Sequence, residues 1–193
     1  MGKSINEMET YTYADLKKLD SAEGEHWELV NGTPYLQARP SYRHQEIAGN
    51  LFFVFKQYLK GKKCTVHQES EVNLSPAKEE DEIITLVVPD LFITCHPEKI
   101  DGQKFNGVPE LIIEILSKDY RKDRWRNFNL YRDAGVKEYW IVDQYRNSVD
   151  VFVLRDGEFK LHGYYGLGEG EENIIRVNIL EDLEVHVSDI FAQ

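Results

Sequence analysis

Two carboxylates inside apolar, strand-like runs are the feature that most restricts how this chain can fold. Asp90 directly follows Pro89 in the run 87–94, and Glu114 lies inside the run 110–116. An ionised carboxylate in a buried strand is costly unless it is paired with a cation or binds a metal ion. These two residues are therefore the first candidates for a functional site.

Strand periodicity predicts where the two carboxylates point. Because side chains alternate between the faces of a strand, Asp90 is expected to share a face with Val88 and Phe92, and Glu114 with Ile112. If the two strands are neighbours, at about 4.8 Å spacing, both carboxylates converge on one cation. Two hard oxygen ligands completed by water suit Mg²⁺ at phosphate-transfer sites.

Two amphipathic segments predict helices beside these strands. The longer begins at Ser41 and runs to about Lys60, with apolar residues at helical spacing that predict firm packing on a sheet. His44 shares this face, where a hydrogen-bonded core or rim histidine is more common than a metal ligand. Residues 123–134 predict the second helix, which Gly135 stops.

The order of elements predicts an α/β fold. A strand at 109–117, the second helix and a strand at 138–143 follow one another, which is typical of a right-handed βαβ unit. Nearer the N-terminus, Asn31 and Gly32 predict the turn of a hairpin. Glu28 lies in the first arm of that hairpin, either as a third acidic ligand or as an outward-facing polar residue, and strand parity favours the outward position.

Length and composition limit the class of protein. The 193 residues, 41% of them hydrophobic, are enough for one globular domain over residues 1–193. Cys64 and Cys95 are isolated in the sequence, so neither a zinc cluster nor a disulfide framework is expected. No stretch resembles a signal peptide or is apolar enough to span a bilayer, which predicts a cytoplasmic protein without a membrane partner.

Charge is distributed unevenly along the chain. The net charge of -11 argues against a protein that coats nucleic acid through bulk charge. Between Lys118 and Arg132, however, six basic side chains face two acidic ones, so this segment carries +4 and the remainder -15. The segment is either where an anionic substrate binds or an exposed helix face with solvated charges.

Several strings together carry a resemblance to a known family. The strings that match are Pro89-Asp90, Glu114-Ile-Leu-Ser117, Asp123-Arg124, Tyr131, Ala134-Gly-Val-Lys-Glu-Tyr-Trp-Ile-Val-Asp143, Glu28-Leu-Val-Asn-Gly32 and His44-Gln45. The first two resemble the PD-(D/E)XK nuclease superfamily, and the combination is similar to the Uma-two family of restriction-endonuclease-like proteins. The likeness covers nearly the whole chain. It implies a restriction-endonuclease-like core, with a mixed β-sheet flanked by helices.

The resemblance also implies a site and a reaction. Asp90 and Glu114 would bind Mg²⁺ or Mn²⁺ for hydrolysis of DNA phosphodiesters, with Glu28 and His44 as supporting residues. The family pattern has a lysine four residues before the tyrosine matched by Tyr131, and this chain has Asn127 there.

A cation is therefore missing from the expected position, and the basic segment offers replacements. Arg124, three residues before Asn127 on a helix, is the candidate stand-in, although arginine is a poor general base. The phosphate contacts would come from Arg121, Lys122 and Arg126.

Three interpretations stay open at the level of sequence. The first is a Mg²⁺-dependent endonuclease acting on DNA. The second, favoured by Asn127 and the acidic net charge, is a nuclease-fold protein that binds nucleic acid or a protein partner without cutting. The third is that Arg124 or His44 pairs with the carboxylates structurally. Many nucleases of this kind act as homodimers, because cutting both strands needs two sites, and nothing in this sequence decides that point.

Overall fold

The structure, a computed structural model, is divided into two compact units that alternate along the chain. It describes residues 10–19, 26–37, 39–77, 79–102, 104–117, 120–168 and 173–192, with only the backbone for residues 19, 26 and 120–124. The first unit is built from residues 1–39, 70–88 and 98–107, and the second from residues 40–69, 89–97 and 108–193. Neither unit is one continuous segment, and the single domain expected over residues 1–193 stays a prediction.

Four helices and fourteen strands lie in the described residues. The helices are α1 (Tyr13–Leu19), α2 (Tyr42–Leu59), α3 (Tyr120–Ala134) and α4 (Val187–Ile190), with a 3-10 turn at Pro97–Lys99. The first seven strands are β1 (His26–Val30), β2 (Thr33–Gln37), β3 (Thr65–Gln68), β4 (Glu71–Asn73), β5 (Leu86–Val87), β6 (Leu91–Thr94) and β7 (Ile100–Asp101). The others are β8 (Lys104–Asn106), β9 (Leu111–Ile115), β10 (Glu138–Asp143), β11 (Ser148–Arg155), β12 (Glu158–Gly166), β13 (Ile174–Arg176) and β14 (Glu184–His186).

The first unit contains a mixed sheet with the strand order β2-β1-β5-β4-β8-β7, in which only β4 and β8 pair in parallel. The predicted hairpin is confirmed, because β1 and β2 pair antiparallel around Asn31 and Gly32, both with positive φ. Gly32 is required here, since a Cβ atom would lie 2.3 Å from Thr10 Cγ2. Helix α1 contributes Tyr13 and Leu16 to the apolar core of this unit.

The second unit contains the sheet that carries both candidate carboxylates. Its strand order is β12-β11-β10-β9-β6-β3, and of these pairs only β9 and β10 are parallel. Helix α3 connects that parallel pair, which confirms the predicted strand–helix–strand unit. The meander after β10 forms the antiparallel pair β11 and β12 at one edge.

Helices cover both faces of the second sheet. The buried side of α2 packs through Ile47, Leu51 and Phe55 on the face that includes Trp140 of β10. On the opposite face, Phe128 of α3 contacts the ring of Tyr139 from the same strand. The mixed sheet flanked by helices is therefore confirmed. None of the helices in the described residues is long and apolar enough to cross a membrane, and the cytoplasmic location stays a prediction.

The apolar run around Pro89 forms two strands in different sheets. Strand β5 belongs to the sheet of the first unit and β6 to that of the second. Proline has no N–H group to continue a strand ladder, so the chain leaves one sheet before Pro89 and enters the other after Asp90. The expectation that Val88 and Asp90 share one strand face is wrong.

The two cysteines also differ from the sequence-based expectation. Strands β3 and β6 pair antiparallel with Thr65 opposite Thr94, and Cys64 and Cys95 each lie one residue beyond that pair. Their Cα atoms are 3.9 Å apart and the two residues form a disulfide. The expectation of unpaired cysteines is wrong because strand register joins residues that are 31 positions apart in sequence.

Candidate active site

The strands that carry Asp90 and Glu114 are neighbours in the sheet of the second unit. Leu91 of β6 lies opposite Ile113 of β9 in an antiparallel pair. Asp90 directly precedes Leu91 and Glu114 directly follows Ile113, so the two residues flank this pair. Glu114 contacts Tyr131 of α3, whereas Asp90 contacts His44 of α2. Asp90 and Glu114 are both half-buried. The predicted convergence of the two carboxylates on one cation stays a prediction.

Asp90 is held in place by two contacts to one of its oxygens. Its Oδ2 accepts a hydrogen bond from the backbone N–H of Ile115 at 2.6 Å and lies 3.2 Å from His44 Nε2. Among the described residues, neither contact uses Oδ1. The side chain is thus fixed by its own unit while one oxygen remains available to a cation.

His44 is the third residue of α2 and orients Asp90. Ser41 caps the helix by accepting a hydrogen bond from His44 N, which places the imidazole in a buried position. Burial lowers the pKa of the imidazole, but the Asp90 carboxylate, the Glu69 charge and the backbone of Ile115 together raise the pKa above its ordinary value. Since Nε2 is engaged by Asp90, the hydrogen-bonded rim histidine expected from sequence is confirmed, as is the pairing of His44 with a carboxylate.

Glu114 is tied to α3 by a tyrosine that the sequence analysis quoted but gave no role. The hydroxyl of Tyr131, itself fully buried, donates to Glu114 Oε1 at 2.6 Å. This bond fixes both the rotamer of Glu114 and the height of α3 over β9. A fully buried tyrosine facing a strand with one carboxylate was the signal that could have revealed the pair.

Asn127 lies one helical turn before Tyr131, on the same side of α3. Four residues correspond to about 6 Å along the helix axis. Because a helix between two parallel strands runs back along the sheet, this turn lies towards the carboxyl end of β9. Asn127 Oδ1 accepts a hydrogen bond from Arg126 Nε at 3.1 Å. The position at which the resemblance implies a lysine is thus Asn127, whose side-chain oxygen is hydrogen-bonded to Arg126.

The remaining basic residues of the predicted phosphate-binding segment cannot be placed in the same detail. The backbone of α3 includes Arg121, Lys122 and Arg124, but their side chains lie outside the described residues. Lys118 lies outside them altogether. Their predicted contacts with phosphate, and the stand-in role of Arg124, stay predictions.

Glu28 belongs to the first unit and does not face outward there. It is 2% exposed, and its Oε1 accepts a hydrogen bond from Val88 N at 2.9 Å. Its other oxygen accepts from the side chain of Gln37. The outward position that strand parity favoured is wrong, because hydrogen bonds from these two residues compensate the buried carboxylate. Its supporting role stays a prediction.

A further link that sequence reasoning missed joins the end of β9 to the start of α2. Gln144 Nε2 donates to the backbone oxygen of Leu116 at 2.6 Å, and Gln144 Oε1 accepts from Ser41 Oγ at 3.2 Å. Because Ser41 also caps the turn that holds His44, the two sides of the site are connected. No local pattern in the sequence signals this contact.

Comparison with known proteins places this arrangement in a family. A family model described as "Uma2: Putative restriction endonuclease" matches residues 12–188. The chain belongs to this family. A crystal structure of a "putative nuclease belonging to DUF820" from Anabaena variabilis superposes with a TM-score of 0.73 at 18% identity, covering 94% of this chain and 97% of that chain. Among curated proteins, none matches the chain.

These comparisons confirm both the family and the fold class expected from the resemblance. The mixed sheets flanked by helices form the restriction-endonuclease-like fold, and the description of the Uma2 family indicates a nuclease-like function. The family model spans the segments of both units and includes every candidate site residue from Glu28 to Asn127.

The resemblance implies a divalent cation at this site, and that cation stays a prediction. Within the described residues, no group of three or more His, Cys, Asp or Glu side chains could hold a metal ion. If a cation binds, Asp90 and Glu114 would supply carboxylate oxygens, with water and substrate oxygens completing the coordination. Oxygen-only sites with few protein ligands suit Mg²⁺ and Mn²⁺ and disfavour zinc, which takes nitrogen and sulfur.

Proposed function

We propose that this protein is a Mg²⁺- or Mn²⁺-dependent endonuclease that hydrolyses phosphodiester bonds in DNA, with turnover limited by Asn127. The observation that carries this proposal is that Asp90 and Glu114, both half-buried, flank the paired residues Leu91 and Ile113 of adjacent strands. The proposal fits the nuclease-like function indicated for the Uma2 family.

Each residue of the site has a role that follows from its contacts. Asp90 and Glu114 would hold the cation, which when bound lowers the pKa of a water molecule and offsets phosphate charge. His44 and Ile115 keep Asp90 from rotating, and Tyr131 does the same for Glu114. Preorganised ligands of this kind reduce the cost of ordering the site when substrate binds.

Catalysis at this site would be limited by Asn127, the group expected beside the attacking water. An amide at position 127 can hydrogen-bond this water, but it cannot provide the positive charge of an ammonium group. The guanidinium group of Arg126, hydrogen-bonded to Asn127, can offset phosphate charge but is a poor general base. We therefore expect the protein to bind metal and phosphate but to hydrolyse DNA slowly.

The same observation supports a second candidate function. Asn127, hydrogen-bonded to Arg126, lacks the charge of a catalytic lysine, and the chain has a net charge of -11. Both features favour a protein that binds nucleic acid or a protein partner without cutting it. The endonuclease and the nucleic-acid-binding form of the second candidate both predict DNA contacts through the basic residues of α3. Replacing Arg121, Lys122 and Arg126 together with Gln is expected to weaken DNA binding and reduce its salt dependence by up to about 0.9 in logarithmic slope per lost phosphate contact.

A plasmid-nicking assay in Mg²⁺ or Mn²⁺ separates the two candidates. Asn127→Lys is expected to raise the cleavage rate over wild type, on the order of 10²–10³-fold, because an ammonium group would stabilise charge at the phosphate. Residual wild-type cleavage is expected to be lost in Arg124→Ala if Arg124 is the stand-in cation.

The matched control is the double variant Asn127→Lys, Asp90→Asn, which should be inactive because it lacks one carboxylate. Folded Asn127→Lys protein that binds Mn²⁺ but cuts neither single- nor double-stranded DNA would support the non-cutting candidate. Two copies acting together would supply the two sites that cutting both strands requires, and a homodimer is part of this proposal.

A further inference from the structure

The outer face of α2 is fully solvent-exposed and carries two large aromatic residues. Tyr42 is 93% exposed and Phe53 66% exposed. Aromatic residues are enriched in protein–protein interfaces relative to the rest of a protein surface. The exposed residues of this face are Tyr42, Gln45, Glu46, Gly49, Phe53, Lys56, Gln57 and Lys60, which we call the α2 outer face.

Residues of the α2 outer face follow the spacing of a helix–helix seam. Positions 42, 46, 49, 53, 56 and 60 are separated alternately by four and three residues. That spacing keeps side chains on one side of a helix and lets them meet a second helix along its length. The opposite side of α2, which includes Leu51, is the side buried against the sheet.

The seam is complementary to itself when the helix is reversed. Position 51 lies midway between 49 and 53, between 46 and 56, and between 42 and 60. Two antiparallel copies centred there would place Glu46 opposite Lys56, Phe53 opposite Gly49 and Tyr42 opposite Lys60, each contact occurring twice. A parallel pair would instead place Glu46 against Glu46 and Lys56 against Lys56, which is repulsive.

Each of these pairings has a physical basis in the side chains present. Apart from the backbone of α2 itself, none of the described residues lies within 4 Å of where a Cβ atom on Gly49 would be, so an aromatic ring from Phe53 of a second copy can approach it. Lys60 over Tyr42 is a cation–π pair. Glu46 already contacts Arg43 at 2.7 Å in its own helix, and its carboxylate can also accept from Lys56 of a second copy.

We propose that the α2 outer face is the interface of an antiparallel homodimer, in which two copies of this chain associate through α2. The proposal does not depend on nuclease activity, since only self-association is claimed. The eight residues are fewer than the about 20–30 per side of a standard interface. We therefore expect weak association, with a dissociation constant of about 1–100 µM.

The charge pattern provides a direct test by sedimentation velocity of the full chain over a range of protein concentrations. Glu46→Lys and Lys56→Glu should each weaken dimerisation by about tenfold or more, because each places like charges together at two symmetric positions. The double variant Glu46→Lys, Lys56→Glu should restore wild-type association. An equimolar mixture of the two single variants should form heterodimers, because their charges are complementary. Lys160→Glu is the matched control, since it reverses an exposed lysine outside α2.

Circular dichroism of each variant establishes that it is folded before its association is interpreted. A wild-type protein that stays monomeric at several hundred micromolar would overturn the proposal. So would a wild-type dimer unaffected by either single variant, because the interface would then be elsewhere. Failure of both the double variant and the mixture to associate would refute the antiparallel register.

Discussion

The two ends of the parallel pair β9 and β10 carry acidic residues that differ in burial and in hydrogen bonding. At the amino end, Glu138 is fully buried and Glu110 is 7% exposed. At the carboxyl end of β9, Glu114 is half-buried, as is Asp90, which precedes the neighbouring strand β6. The four residues are in one unit and have the same chemistry, so their environments decide what each can do.

Protein groups satisfy the carboxylates at the amino end. Trp140 Nε1 donates to one oxygen of Glu138 at 2.8 Å, and the backbone N–H of Ile179 donates to the other at 3.0 Å. Glu110 accepts from the backbone N–H of Cys95 and lies 3.7 Å from Lys137 Nζ. These contacts tie distant segments of the chain together, which is a structural role.

Contacts at the carboxyl end hold the side chains without enclosing them. Those of Asp90 converge on Oδ2, and Glu114 receives the Tyr131 hydroxyl on Oε1. Burial of a carboxylate therefore does not by itself identify a functional site. What distinguishes the candidate site from the amino end, which also has carboxylates on neighbouring strands, is incomplete burial.

Loss of the side chain is expected to cost most at Glu138. Glu138→Ala leaves two buried donors, Trp140 Nε1 and Ile179 N–H, without their acceptors, and should reduce the free energy of unfolding by about 3–5 kcal/mol. Glu114→Ala removes the acceptor of one hydroxyl at a half-buried position and should cost about 1–2 kcal/mol. Urea denaturation of both variants measures the difference. Equal losses at the two sites would contradict the comparison.

A smaller effect is expected in the pH dependence of stability. Burial raises the pKa of Glu138 above its ordinary value, although the hydrogen bonds from Trp140, Ile179 and Asn178 oppose this shift. A raised pKa in the folded state means that the folded protein binds a proton more readily, so this contribution to stability is largest at low pH and is lost as pH rises through the folded pKa.

The matched variant Glu138→Gln cannot titrate at this position. The unfolding free energy of wild type relative to Glu138→Gln is therefore expected to fall as pH rises from below 4.5, the ordinary pKa, and then to level off. Denaturant midpoints measured for both proteins between pH 4 and 8 provide the test. A relative stability that rises over this range would show that the charged form of Glu138 is the favoured one in the fold.

Local patterns in the sequence were sufficient for much of the fold that positions the site. The apolar periodicity of α2, the Asn31–Gly32 turn and the strand–helix–strand order around Glu114 all depend on neighbouring residues, so they could be predicted. The convergence of Asp90 and Glu114 could be stated only as a condition, because strand neighbours are set by long-range packing.

Features that depend on contacts between residues distant in the sequence could not be predicted from it. The Cys64–Cys95 disulfide and the hydrogen bond that buries Glu28 join residues that are far apart along the chain. The placement of β5 and β6 in different sheets also depends on distant strands. The hydrogen bond from Arg126 to Asn127 joins adjacent residues, but it depends on side-chain rotamers that no periodicity reports.

The most direct test of the central claim is a calorimetric titration with Mn²⁺ of wild-type protein and three matched variants. We predict one site in wild type that Asp90→Asn and Glu114→Gln each remove, while Glu110→Gln, at the opposite end of β9, leaves it intact. The prediction follows because Asp90 and Glu114 are half-buried carboxylates that flank the paired residues Leu91 and Ile113 of adjacent strands. Mn²⁺ binding that is unchanged in both Asp90→Asn and Glu114→Gln would contradict the account.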